Sequence, residues 1–220
     1  VIVLTGAGRG SCAGADMSLL QSNQAGSGDR SGAAEVFDPN ARDDFKKQNS
    51  WFPAVPKPII AAINGSCAGL GLVLALYADI RFASASAKFT TAFSRRGLVA
   101  EHGASWLLPR LVGFANAADL LYSARTFTGE EAERLGLINR AYPAEHFESS
   151  VMDYARMLAN EVSPRSLREM KRELWEAQFQ TLGYAIETAN ADMPPSFASE
   201  DFKEGVAHFV EKRAPRFTGR

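Results

Sequence analysis

Apolar residues fall in short β-branched runs up to about residue 142 and at helical spacing beyond it. The run Val1-Ile2-Val3-Leu4 predicts a buried strand, followed by a glycine-rich loop over 6–14 and a helix that starts near Ala15. Residues 22–38 hold Gly26, Gly28, Gly32 and many Ser, Asn and Gln, too little apolar content to pack, and read as a flexible loop. Residues 42–52 look helical, and Pro53, Pro56 and Pro58 end that helix before a second strand over 58–63. Asn64-Gly65 marks a turn, and 70–78, apolar all round, predicts a short buried helix. Strands follow over 79–83 and 88–92, and helices over 104–112 and 115–123. Thr128-Gly-Glu-Glu131 has capping-box spacing, so a helix starts there, and Gly136 stops it before a strand over 137–142.

From residue 144 onward only helices are expected: one over 145–160, one begun by Ser163 and Pro164 and reaching about 180, and one over 182–193 ended by Pro194-Pro195. Phe202, Val206, Phe209 and Val210 form a last amphipathic stripe. The organisation is an α/β core over 1–143 and an all-helical region over 144–220, with no internal repeat. A buried strand at residue 1 needs chain before it, so the N-terminal part of the core is expected to be missing. Residues 59–78 are long enough to span a bilayer, but Gly65, Gly69 and Gly71 divide them into strand, turn and helix, so no membrane partner is expected.

Composition narrows the function. The 220 residues are 46% hydrophobic and 22% charged, which excludes a disordered chain. Twenty-four Lys and Arg against 25 Asp and Glu leave a net charge of -1 and no basic field for a polyanion, which argues against nucleic acid as a partner. Cys12 and Cys67 are too few for a disulfide framework, which favours a reducing, cytoplasmic location. His102, His146 and His208 are too scattered to suggest a metal site.

Gly6-Ala-Gly8-Arg-Gly10 after a strand invites a dinucleotide reading, but that fingerprint needs glycine where Ser11 stands, and the short-chain reductase variant needs it at Cys12. No tyrosine is followed four residues on by lysine, no Walker A sequence occurs, and no Gly-x-Ser-x-Gly elbow suggests a serine nucleophile. Two glycine-rich turns remain, Cys12-Ala-Gly-Ala15-Asp16 and Asn64-Gly-Ser-Cys-Ala-Gly-Leu70-Gly71, each leading from a strand toward a predicted helix. Read locally they are either tight connections or, side by side, two backbone N–H donors for one oxygen, the anatomy of an oxyanion hole.

Leu4-Thr-Gly-Ala-Gly-Arg-Gly-Ser-Cys-Ala-Gly-Ala-Asp16, Pro58-Ile-Ile-Ala-Ala-Ile-Asn-Gly65, Ala78-Asp-Ile80 and Phe202-Lys-Glu-Gly-Val-Ala-His-Phe-Val-Glu-Lys-Arg213 together resemble the crotonase (enoyl-CoA hydratase/isomerase) superfamily, in order and over essentially the whole chain. The resemblance implies a crotonase-like α/β spiral of β-β-α units with a helical C-terminal trimerisation region, and a homotrimer or hexamer. It implies an acyl-CoA thioester substrate and no separate cofactor, coenzyme A being part of the substrate. It maps the two oxyanion-hole N–H groups to Ala15 and Leu70, the latter replacing a common glycine. It maps substrate contacts to Asp16 and Met17, and coenzyme A contacts in a neighbouring subunit to Phe209 and Lys212. Phe93 and Trp106 are expected to line an acyl pocket or the core, and Asp79 fits the pattern as a structural cap.

The departures from that pattern point to the reaction. The two glutamates that related hydratases use are replaced by Val73 and Phe93, neither of which can move a proton. Glu101, in Gly97-Leu-Val-Ala-Glu-His-Gly-Ala104, falls where the peroxisomal type of Δ3,Δ2-enoyl-CoA isomerase carries its single catalytic glutamate. The resemblance therefore implies a double-bond isomerase with Glu101 as proton shuttle. The rivals are a hydratase using Glu101 alone or with His102, and a catalytically silent acyl-CoA-binding protein.

Overall fold

The computed structural model describes residues 1–16 and 38–220. Its spine is β3 (Ile59–Ile63), with all five residues buried. An unbroken apolar run suits a strand covered on both faces, and β3 lies inside a parallel sheet ordered β1 (Ile2–Thr5), β3, β5 (Ile80–Ser84), β8 (Arg140–Tyr142). Ile60, Ala62 and Phe82 pack with Phe147, Val151, Ala155 and Leu158 of α5 (Ala144–Asn160). Ile59, Ala61, Ile63 and Ala83 join a larger core with Leu72, Val73 and Leu76 of α1 (Leu70–Tyr77).

A second sheet is ordered β2 (Gly10–Cys12), β4 (Ser66–Ala68), β6 (Lys88–Thr90), β7 (Phe127–Thr128), parallel except for β6 with β7. From β1 to β6 successive strands alternate between the sheets, and β3-β4-α1 is one full β-β-α turn of the mixed α/β spiral. β2 and β4 fall within stretches that read as glycine loops. Three residues of Gly, Ser, Cys or Ala have little strand propensity and are too short to show alternation. Asn64 clasps the two loops: its Oδ1 accepts from the Gly6 N–H at 3.2 Å and its Nδ2 donates to the Gly8 carbonyl at 2.9 Å.

Most predicted helices form: α2 (Ala104–Val112), α3 (Phe114–Ser123), α4 (Gly129–Arg134) and α6 (Pro164–Ala177). Thr128 and Ser163 cap α4 and α6, accepting from the Glu131 and Ser166 N–H groups. Tertiary contacts override the sequence pattern elsewhere. Residues 42–52 hold 3-10 turns, Asp43–Lys46 and, beyond a left-handed Asn49, Phe52–Ala54; Phe45 is thereby turned edge-on to Trp175. Only Arg140–Tyr142 of the strand expected over 137–142 forms, because the Leu137 N–H bonds back to Ala132.

α7 (Leu182–Ala198) runs through Pro194 and Pro195, tethered to α6 on either side of them by Arg172 with Asp192 and by Arg165 with Ser196. β1 is not the buried strand expected: it pairs with β3 alone among the described residues, leaving Ile2 and Leu4 exposed. The stripe of Phe202, Val206, Phe209 and Val210 lies exposed on α8 (Glu200–Glu211). The loop expected over 22–38 lies, apart from Asp38, outside the described residues, and the helix expected near Ala15 lies outside them beyond Asp16. No helix among the described residues is long and apolar enough to cross a membrane.

Asp79 joins the spiral to the helices. Its carboxylate accepts from the Ile59 N–H at 2.7 Å and from Trp175 Nε1 at 3.0 Å, and pairs with Lys171 Nζ at 2.8 Å. Lys171 Nζ also donates to the Lys57 carbonyl at 3.1 Å. The Lys171 side chain is 5% exposed, and burial pulls its pKa below the usual range against the opposing pull of Asp79. Breaking a buried pair from one side leaves the other charge uncompensated. Asp79→Ala is therefore expected to lose about 3–5 kcal/mol of stability in urea unfolding. Adding Lys171→Met to that variant should recover part of the loss, whereas an unchanged midpoint for Asp79→Ala would show that the latch carries no stability.

Candidate active site

The site grows from one register. β2 and β4 are parallel neighbours with Cys12 opposite Cys67, and Ala15 and Leu70 each follow three residues later. The two turns therefore leave the sheet side by side. Gly14, with φ of +100°, lies at their contact: a Cβ there would stand 3.0 Å from the Ala68 carbonyl oxygen and 3.6 Å from the Leu70 nitrogen. Gly71 lets the first turn of α1 lie against β2, since its Cβ would fall 2.2 Å from the Cys12 carbonyl oxygen. Among the described residues no side chain caps the N-terminus of α1. Among the described residues neither the Ala15 nor the Leu70 N–H has an acceptor.

Arg81 pins the other end of α1. Its buried guanidinium donates to the carbonyls of Ala78 at 2.5 Å and Leu137 at 2.8 Å. Burial pushes it down to about 10, Asp79 acting in the opposite sense. Cys67 is no nucleophile at neutral pH: burial, with Cys12 beside it, pushes its thiol up to about 12.

A cavity of ≈ 90 Å³ is lined by Ala13, Gly14 and Ala15 from the first turn and Gly69 and Leu70 from the second. Its other wall is Ala92, Phe93, Arg96, Leu98, Glu101 and His102, from the segment between β6 and α2. That segment is fixed to the end of α3, because Thr90, Thr91 and Ser94 hydroxyls donate to the carbonyls of Ala124, Leu120 and Tyr122. Glu101 is the sole carboxylate among the described residues around this cavity, its side chain 33% exposed. Val73 is sealed in the core and Phe93 is 8% exposed at the cavity wall, so neither position supplies a second acid. Backbone N–H groups and a carboxylate that border one small cavity can together bind an oxygen and move a proton at a neighbouring carbon.

The structure thus brings Ala15, Leu70, Phe93 and Glu101 to one place and separates the rest. Trp106 lines an adjoining cavity of ≈ 360 Å³, stacked on Phe179 at 5.2 Å with the Arg110 guanidinium 3.7 Å over its ring. Asp16 follows Ala15 on the exposed turn, and Met17 lies outside the described residues. Phe209 is 79% exposed on α8 and Lys212 caps that helix; neither borders this chain's cavity. His102 borders both cavities and touches Glu101, Asn49 and Tyr77. For Asn49 and Tyr77 no sequence signal exists, since they join His102 only through the fold. No group of three or more metal-ligating side chains occurs among the described residues.

Comparisons with known proteins follow the same lines. The sequence model of the family described as enoyl-CoA hydratase/isomerase matches residues 1–220. The chain is 35% identical over 221 residues to the 1,2-epoxyphenylacetyl-CoA isomerase of Escherichia coli (strain K12), covering 100% of this chain and 81% of that one. It is 37% identical over 222 residues to a probable enoyl-CoA hydratase of Rhodobacter capsulatus, with the same coverages. The crystal structure of a probable enoyl-CoA hydratase/isomerase from Mycobacterium abscessus superposes with a TM-score of 0.85 at 33% identity, over 100% of this chain and 81% of that one.

The close approach of α1 to β2 is directly testable. Gly71→Ala is expected to cost about 1–3 kcal/mol, as overpacking does, lowering the urea midpoint at unchanged slope. A variant as stable as the parent would show that the two turns have room to spare.

Proposed function

Because the chain belongs to the enoyl-CoA hydratase/isomerase family, we propose that it moves the double bond of a 3-enoyl-CoA thioester to the C2–C3 position, with Glu101 as its single proton carrier. The Glu101 carboxylate removes a proton from C2; the pair of that C–H bond becomes the C1–C2 double bond as the carbonyl pair moves onto the thioester oxygen, with C3–C4 still double. The Ala15 and Leu70 N–H groups hold the resulting enolate oxygen at the positive end of α1. Collapse of the enolate re-forms the carbonyl, moves the C1–C2 pair into C2–C3 and the C3–C4 pair onto the proton that Glu101 returns to C4, leaving Glu101 ionised for the next turnover. Proton, electron pair and charge all balance without a second acid or base.

One observation carries this reading: among the described residues a single carboxylate borders the cavity that both glycine turns also border, while Val73 and Phe93 are apolar. Hydration needs a base for the water and an acid for the α-carbon, and losing one such group typically costs about 10²–10⁴-fold. Hydration is nevertheless the second reading, favoured by the name of the Rhodobacter relative and by His102 Nε2 lying 3.4 Å from Glu101 Oε2, where it could act as the partner acid.

Purified protein mixed separately with 3-enoyl-CoA and 2-enoyl-CoA separates the readings. Rapid conversion of the first, reduced at least about 10²-fold by Glu101→Gln, is expected. Fast hydration of the second would replace isomerisation by the second reading, and inertness toward both with coenzyme A thioester binding retained would make the protein a binding module.

A further inference from the structure

We propose that His102 is a positioning residue for the Glu101 carboxylate and that Asn49 sets the tautomer in which it acts, an inference that rests on Glu101 being the base. His102 Nδ1 lies 3.3 Å from Asn49 Nδ2. An amide nitrogen can only donate, so Nδ1 accepts and the ring proton sits on Nε2. Nε2 lies 3.4 Å from Glu101 Oε2, longer than a formed hydrogen bond, as catalytic contacts often are before substrate enters. Closing of that contact would engage one carboxylate oxygen with an N–H and leave the other for the substrate carbon.

The backbone shows that this geometry is imposed. His102 and Asn49 have φ of +50° and +66°, the left-handed region that non-glycine residues rarely occupy. The His102 carbonyl accepts from the Tyr77 hydroxyl at 2.9 Å, and Tyr77 is the last residue of α1. The helix whose first residue is Leu70 therefore also fixes His102, so donor and base are referenced to one rigid element. The other charged and titratable groups bordering the two cavities at His102 are Arg96, Asp44, Lys47 and Tyr77.

An N–H donor beside a carboxylate holds it in one orientation, so removing the donor lets the base leave its place beside the substrate carbon. His102→Ala is expected to lower kcat about tenfold with KM within about twofold. His102→Gln, whose amide can still donate to Glu101, should restore most of kcat. His102→Asn, which suits the left-handed backbone but stops short of Glu101, serves as a second truncation should the alanine variant not fold. Asn49→Ala should lower kcat in the same way by less.

Glu101→Gln run alongside keeps the two levels apart. If it retains activity, the base assignment fails. If it is inactive while His102→Ala and His102→Asn match the parent in kcat, the positioning role alone is overturned. A kcat loss that His102→Gln does not restore would likewise reduce His102 to a structural part.

Discussion

Backbone can approach backbone closely only where no side chain stands between, and the site depends on one such approach. Cys12 opposite Cys67 fixes the register of β2 and β4, and Gly71 lets the start of α1 settle against β2. Given that contact, the equal offsets from Cys12 to Ala15 and from Cys67 to Leu70 bring the two turns to one cavity. A register shift of one residue would move the turns out of step and reverse the faces of β2, so the sheet is as much part of the site as the turns.

α1 carries the constraint from the site to the rest of the fold. Its N-terminus at the cavity has no side-chain cap among the described residues, Arg81 satisfies carbonyls at its far end, and Tyr77 reaches back to His102. Asp79, two residues beyond the helix, then ties β3 to Lys171 and Trp175 of α6. Arg81, Asp79 and Lys171 thus link the end of α1 to α6 by polar contacts, and no buried side-chain polar atom among the described residues lacks a partner. Such satisfied networks hold a site in place better than apolar packing, which tolerates sliding.

Local pattern made much of this legible. The unbroken run of β3, the capping box before α4 and the Ser163-Pro164 start of α6 each carry their own physical cause within a few residues, and each forms as expected. What local pattern could not show was anything decided at a distance. β2 and β4 are strands because a neighbour pairs with them, and Pro194-Pro195 stay helical because α6 holds both flanks. For the site, the paired glycine turns and the lone Glu101 beside His102 were visible, while Asn49 and Tyr77 meet His102 across 53 and 25 residues of chain. Trp106 packs against the core beside a second cavity, and local pattern could not separate that place from an acyl pocket because an aromatic reads alike whichever cavity it borders.

Everything turns on two adjacent turns and one carboxylate bordering the same cavity. A crystal structure with an unreactive acyl-CoA thioester bound would measure that arrangement. The thioester oxygen is expected about 2.7–3.1 Å from both the Ala15 and Leu70 nitrogens, with the Glu101 carboxylate beside C2. A thioester oxygen bound away from those two nitrogens, or a Glu101 carboxylate out of reach of C2, would contradict it.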